Sequence, residues 1–270
     1  MYSDLINVSR YTRVAGTALL LFLAAPYSSG TLKAQSRANA SAIPDLNGIW
    51  FRSGDGCTPN GVTCPFNVAE LPLKARALGF REAFDEPLAP KYDCVPSVVP
   101  SLVADPYKVQ MEQADDRVVL TYEKDDIIRT VWLDGHGHAP PLVGHFFQQG
   151  YSRGWYEEDQ LVVETTKFTF DPIGLDDMAN LPSSTSKKVT ERYWREGDLM
   201  TVEVTTEDPL ILNAPIQFTW SFALSDEPLY LPYGCDPALS KEALEFLPPK
   251  YVDPDFVRIT VAPYGEQSRD

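Results

Sequence analysis

From residue 108 onward the chain alternates apolar and polar positions with a period of two, the pattern of strands with one face buried. "RVVLTYE" (117–123) and "IIRTVWLD" (127–134) are two such runs, split by "KDD", which supplies turn chemistry. "QLVVETTKFTF" (160–170) is a third. "KKVTERYWRE" (187–196) and "LMTVEVTTED" (199–208) flank Gly197-Asp198, a hairpin turn pair. "IQFTWSFAL" (216–224) and "FVRITVAP" (256–263) complete the set. Upstream the period changes. "ELPLKARALGFREAF" (70–84) predicts the one helix, with Pro72 in its first turn and Leu73, Ala77, Phe80 and Phe84 as an apolar stripe. Residues 44–66 read as extended chain and turns, and 85–107, rich in proline, as an irregular crossing segment.

Successive hairpins without intervening helices predict an all-β fold with antiparallel pairing. It is either a closed barrel of the lipocalin kind or a strongly curved sandwich. The barrel is expected over 108–270, and residues 35–107 are expected to pack on it as an extended, helical and proline-rich flap, making one domain. At 270 residues and 44% hydrophobic content the chain can bury one sizeable core.

Residues 1–34 read as a signal peptide. Arg10 and Arg13 precede a short apolar run, Val14 to Pro26, followed by small residues, so a mature start between about 31 and 41 is expected. The run is too short to span a bilayer comfortably. This places the protein in the periplasm or outside the cell. There an even cysteine count, Cys57, Cys64, Cys94 and Cys235, suggests disulfides with three alternative pairings. Cys57 and Cys64 flank a Pro- and Gly-containing turn, so a local bond is easy and leaves Cys94 for Cys235. A formal net charge of −15 argues against nucleic acid and anionic membranes as partners, and no membrane association is expected after signal cleavage.

"GYSRG" (150–154) fits the Gly-x-Ser-x-Gly nucleophile elbow of serine hydrolases, but that device needs a helix directly after the serine and a histidine downstream. Here a strand pattern follows, and His136, His138 and His145 all lie upstream, so hydrolase chemistry at Ser152 is not expected. The glycines read as bends before a strand.

The same stretch resembles a family of exported bacterial proteins whose common segment reads Gly-x-Ser-x-Gly-x-Trp-Glu-Gly-Asp-x-Leu-Val-Val-(Asp/Glu)-Thr. Gly150, Ser152, Gly154, Glu157, Asp159, Leu161, Val162, Val163, Glu164 and Thr165 match it, while Tyr156 stands for Trp and Glu158 for Gly. "DLNGIW", "CVPSVVPSLVADPY", "RTVWLDGHGHAPP", "VTERYWR", "VTTEDPL" and "LPYGCDPA" resemble further segments in order, with His136 in place of an arginine. The resemblance implies export and an all-β fold; it implies no activity.

Candidate chemistry gathers near the same stretch. Asp134, His136, His138 and His145 form a dense polar run, and with Glu164 could make a metal shell. The run reads as a loop, however, and neither metal nor other cofactor is expected. His138, Tyr151 and Glu164 are the catalytic candidates for acid–base work, with Arg153, Trp155 and Tyr193 as substrate-binding residues. Glu164 shares a strand face with Val162, and its neighbours Leu161 and Val163 are also apolar, so alternation leaves open whether it points in or out. Glu191 and Arg192 pose the same question. The function expected is an exported barrel enclosing a small hydrophobic or aromatic molecule, leaning to a cofactor-independent lyase, decarboxylase or isomerase. The alternative is a non-catalytic carrier.

Overall fold

A computed structural model describes residues 43–53, 70–134 and 140–246. Cys57, Cys64, His136, His138, the N-terminal apolar run and the strand expected at 256–263 lie outside the described residues. Nine strands close a barrel. They are β1 (Gly48–Ser53), β2 (Lys108–Gln113), β3 (Arg117–Tyr122), β4 (Ile128–Leu133), β5 (Tyr151–Glu157), β6 (Gln160–Thr166), β9 (Lys188–Glu196), β10 (Leu199–Glu207) and β11 (Ile216–Ser225). Round the barrel the order is β1-β11-β10-β9-β6-β5-β4-β3-β2, and β2 pairs again with β1. β7 (Asp171–Asp176) and β8 (Leu181–Ser183) form a separate two-stranded hairpin.

Two expectations are corrected. The barrel does not begin at 108: β1 belongs to it and pairs with both β2 and β11. Nor is it wholly antiparallel. β5 runs parallel to β4, joined only at Val131–Ser152, Trp132–Arg153 and Leu133–Gly154. A parallel neighbour needs a crossover of a dozen or more residues, and the chain from Asp134 to Gly150 is long enough to make one.

Alternation decides what fills the barrel. Val118, Leu120 and Tyr122 of β3 point inward, as do Val131 and Leu133 of β4, Leu161 and Val163 of β6, and Val202 and Val204 of β10. The proline-rich crossing is a plug. Its short helix α2 (Ser101–Ala104) is wholly buried, and Val99, Leu102 and Val103 join the barrel core. The predicted helix forms as α1 (Ala75–Ala83), burying Ala77, Phe80 and Ala83. It starts later than Pro72 suggested, because Leu73 is taken by an isolated bridge to Leu212. Beyond β11 the chain folds back over the plug and is tied to it by a Cys94–Cys235 disulfide.

The glycines of the 150–154 stretch serve the wall. Gly150 has φ +70°, and an added Cβ would lie 2.7 Å from Thr165 Cγ2 and 2.8 Å from Phe168. Gly154 is inside β5, where a Cβ would lie 2.6 Å from Val131 Cγ1. Gly197 has a similar φ of +62° with open space around it. Gly197→Ala should therefore cost about 1 kcal/mol, the left-handed penalty alone. Gly150→Ala should cost about 1–3 kcal/mol more from overpacking. Urea unfolding of the two variants checks this; equal losses would mean that the wall yields freely to the methyl group.

Candidate functional site

Inside the barrel, Arg129 of β4 points inward between Tyr122 and Val131, and Glu191 of β9 points inward between Val189 and Tyr193. Both are buried. They meet as a two-pronged ion pair, Arg129 Nη1 donating to Glu191 Oε1 at 3.1 Å and Nη2 to Oε2 at 2.6 Å. Nη1 also donates to Tyr122 Oη (3.0 Å), and Nη2 to Thr165 Oγ1 (3.2 Å) and Ser152 Oγ (3.5 Å). Tyr193 Oη donates to Glu191 Oε1 at 2.6 Å. Burial disfavours the guanidinium charge, but the Glu191 carboxylate more than restores it, and Arg129 is held well above its ordinary pKa. Burial and the same carboxylate push the Tyr193 phenol up. Four strands are thus bound to β4 through its one inward-facing charge.

This answers the question raised by "GYSRG". Ser152 Oγ is buried, 2.9 Å from Thr165 Oγ1, and faces Arg129. It has no histidine partner among the described residues, and its role is to line the ion pair.

A second buried charge holds the plug. Lys187 Nζ donates to Val99 O and Gly174 O, both at 2.8 Å, and lies 4.1 Å from the centre of the Phe168 ring. Burial pulls its pKa down to about 7, against the attraction of Asp171 and Asp208. Ser101 Oγ and Ser97 Oγ donate to the buried Asp177, whose other partner is Lys124. Asp208 takes the backbone N–H and hydroxyl of Ser184, both at 2.7 Å. These carboxylates pin loops.

The sequence-predicted residues divide. Tyr193 is internal and committed to Glu191. Glu164 lies on the outer wall, because Val163 and Thr165 on either side of it point inward. Tyr151, Arg153 and Trp155 share that outer face, with Arg153 opposite Glu164 in the register. Arg153 forms a two-pronged pair with Asp134 at 2.9–3.1 Å, half-exposed. Burial pushes the Tyr151 phenol up somewhat. The structure therefore brings Tyr151, Arg153, Trp155 and Glu164 onto one face, and that face is not the interior. The internal carboxylate is Glu191. Arg129 went unnoticed in the sequence, although its face of β4 also carries Val131 and Leu133.

Buried side chains fill the interior. A cavity of about 10 Å³ lies under Leu102 and Val103, lined by Tyr122, Tyr193 and Met200, enough for about one water. The other end of the barrel carries a groove of about 770 Å³. Its walls are the Ile43–Asp45 segment, Asn47, the Gln113–Asp115 turn, Leu133, Asp134, Trp155 and Tyr156. Its floor is fixed by Gln113, whose Nε2 donates to Tyr156 Oη (2.8 Å) and Pro44 O (3.0 Å). Among the described residues no group of three or more His, Cys, Asp or Glu is placed to hold a metal, and no helix is long and apolar enough to cross a membrane. No protein-family profile and no curated protein matches the chain.

Two outcomes follow for stability. Arg129→Met leaves Glu191 buried without its partner and should cost about 3–5 kcal/mol, whereas Arg129→Met with Glu191→Leu should recover most of that. A double-mutant cycle by urea unfolding measures the coupling; purely additive losses would contradict the pair. The Lys187 pKa of about 7 lies below its ordinary 10.5, so between those values the unfolded chain binds the extra proton. Stability should rise with pH across that window, by up to about 1.4 kcal/mol per unit. Lys187→Met should flatten this rise while lowering stability overall, read from unfolding at pH 7, 8 and 9.

Proposed function

We propose that this protein is an exported β-barrel that binds a small apolar or aromatic molecule, and that it does so in the groove at its open end. The observation that carries the reading is the contrast in volume. The cavity under Leu102 and Val103 inside the barrel holds about 10 Å³ and the groove about 770 Å³, the size range of small-molecule sites. Trp155 and Tyr156 offer flat apolar surface, and the side-chain amides of Asn47 and Gln113, bonded to Asp45, Pro44 and Tyr156, stiffen the wall beneath them. The Cys94–Cys235 bond fits an oxidising compartment, as export requires. The resemblance to exported proteins points the same way.

Acid–base catalysis is a separate reading, carried by the shared face of Tyr151, Arg153 and Glu164. Those groups stand outside the groove's described walls, with Arg153 engaged by Asp134. The binding reading is therefore the stronger.

A panel of phenols and aromatic acids screened by thermal unfolding tests it. A ligand at a hundred times its Kd should stabilise by about 2.7 kcal/mol, a shift of several degrees. Trp155→Ala should weaken that ligand at least tenfold, and Trp194→Ala, on β9 away from the groove walls, should leave it unchanged. Equal binding by both variants would move the site elsewhere.

A further inference from the structure

The crossover between β4 and β5 makes the parallel pairing, and its described part, Pro140–Gln149, does more than connect. It is firmly based. Phe147 N–H donates to Lys167 O at 2.8 Å, and Phe147 O accepts from Thr169 and Gly150 at 3.0 and 3.1 Å. Gln148 Nε2 donates to Pro96 O (3.0 Å) and Gln149 Nε2 to Ser97 O (2.8 Å), which fastens the loop to the plug. On this base stands a turn, closed by His145 N–H donating to Leu142 O at 3.2 Å, with Gly144 at φ +83°.

What the turn presents is apolar. Val143 is 98% exposed and Leu142 71%, and Phe146 and Phe147 at the base are 47% and 42% exposed. Phe170, two residues past the bridge partner of Phe147, is also exposed. Single exposed apolar residues need no account, but four within the six residues 142–147 of one buttressed loop do. Charge narrows the partner. Pro140–Gln149 contains no Asp, Glu, Lys or Arg, in a chain with 23% charged residues and a net charge of −15. A protein surface recognised by charge is not served by such a loop. In chain order, aliphatic Leu142 and Val143 and an exposed His145 precede the rings of Phe146 and Phe147, and the amides of Gln148 and Gln149 are fastened to the plug. Exposed Leu and Phe side chains on an uncharged, anchored loop are what an interfacial contact with lipid uses.

We infer that Leu142, Val143, Phe146 and Phe147 form an insertion loop by which this protein rests on a membrane surface of zwitterionic lipid. The acidic body makes the contact weaker on anionic lipid, because it is repelled there. The inference departs from the expectation of no membrane association after signal cleavage, whose charge argument concerns anionic surfaces.

The test reads the loop itself, so that binding by the N-terminal apolar run, Val14 to Pro26, is not mistaken for binding by the loop. Val143→Trp is mixed with vesicles of phosphatidylcholine carrying brominated acyl chains, with the wild-type chain as the baseline for its five native tryptophans. The introduced tryptophan should shift to the blue and lose at least half its emission. Adding Phe146→Ser and Phe147→Ser should weaken the vesicle affinity so measured at least tenfold, and replacing half the lipid with phosphatidylglycerol should weaken it as well. Emission that stays at the water-exposed wavelength overturns the inference. So does a blue shift without vesicles that grows with protein concentration, which would make the loop a contact between copies of this chain.

Discussion

The barrel depends on a charge it cannot hydrate. Arg129 reaches from β4 to Ser152, Thr165 and Glu191 on three other strands, and so spans the seam between β4 and β5. That seam is the thinnest joint in the wall, with three backbone register pairs against seven between β5 and β6. Parallel pairing is slightly weaker per residue than antiparallel. Apolar side chains could fill the same space at less desolvation cost, but they would not fix which strand lies beside β4. A guanidinium with two prongs on one carboxylate does fix it, since a one-residue slip of β4 would turn Arg129 out into water and leave Glu191 stranded. The glycines at 150 and 154 belong to the same arrangement, because they let β5 lie close enough for Ser152 and Thr165 to take part.

This arrangement governs where binding is feasible. An interior filled by Leu46, Val99, Leu102 and Val103, with the two-pronged Arg129–Glu191 ion pair among them, is a core. Recognition is displaced to the outside, to the open groove and the loops. The plug reinforces that division. Lys187, Asp177, Gln148 and Gln149 all hold parts of the 96–104 segment, so no single contact keeps it in place.

Most of the wall was legible. β3, β4, β6, β9, β10 and β11 each follow from alternation, and Gly197-Asp198 marked its hairpin. β5 was not, since Gly150, Ser152, Gly154 and the Glu157–Asp159 run carry turn chemistry, and only the tertiary demand for close approach makes glycine apt within a strand. β1 was read as extended, but its partners are remote in sequence and nothing local names them. The faces were harder. Leu161, Val162 and Val163 are all buried, Val162 on the outer side between Trp155 and Arg192, so the two-residue rhythm around Glu164 is masked. On β4 and β9 the rhythm is intact. It would have set Arg129 and Glu191 on the apolar side had a charge been admitted there.

The place of β1 has a bearing on how such a chain is made. It is the first strand of the barrel and it lies against the last, Ile49 opposite Ser225. While the chain emerges from its N-terminus, β1 can find β2, but its other edge stays bare until β11 arrives. A bare edge offers unpaired N–H and C=O groups to any neighbouring strand, including one from another copy. A chain that stopped before Ile216 would therefore be no smaller barrel, only an open sheet with two hungry edges. Closure comes from the pairing of β1 with β11, the strand pairing most remote in sequence among the described residues, which is the kind that forms slowly.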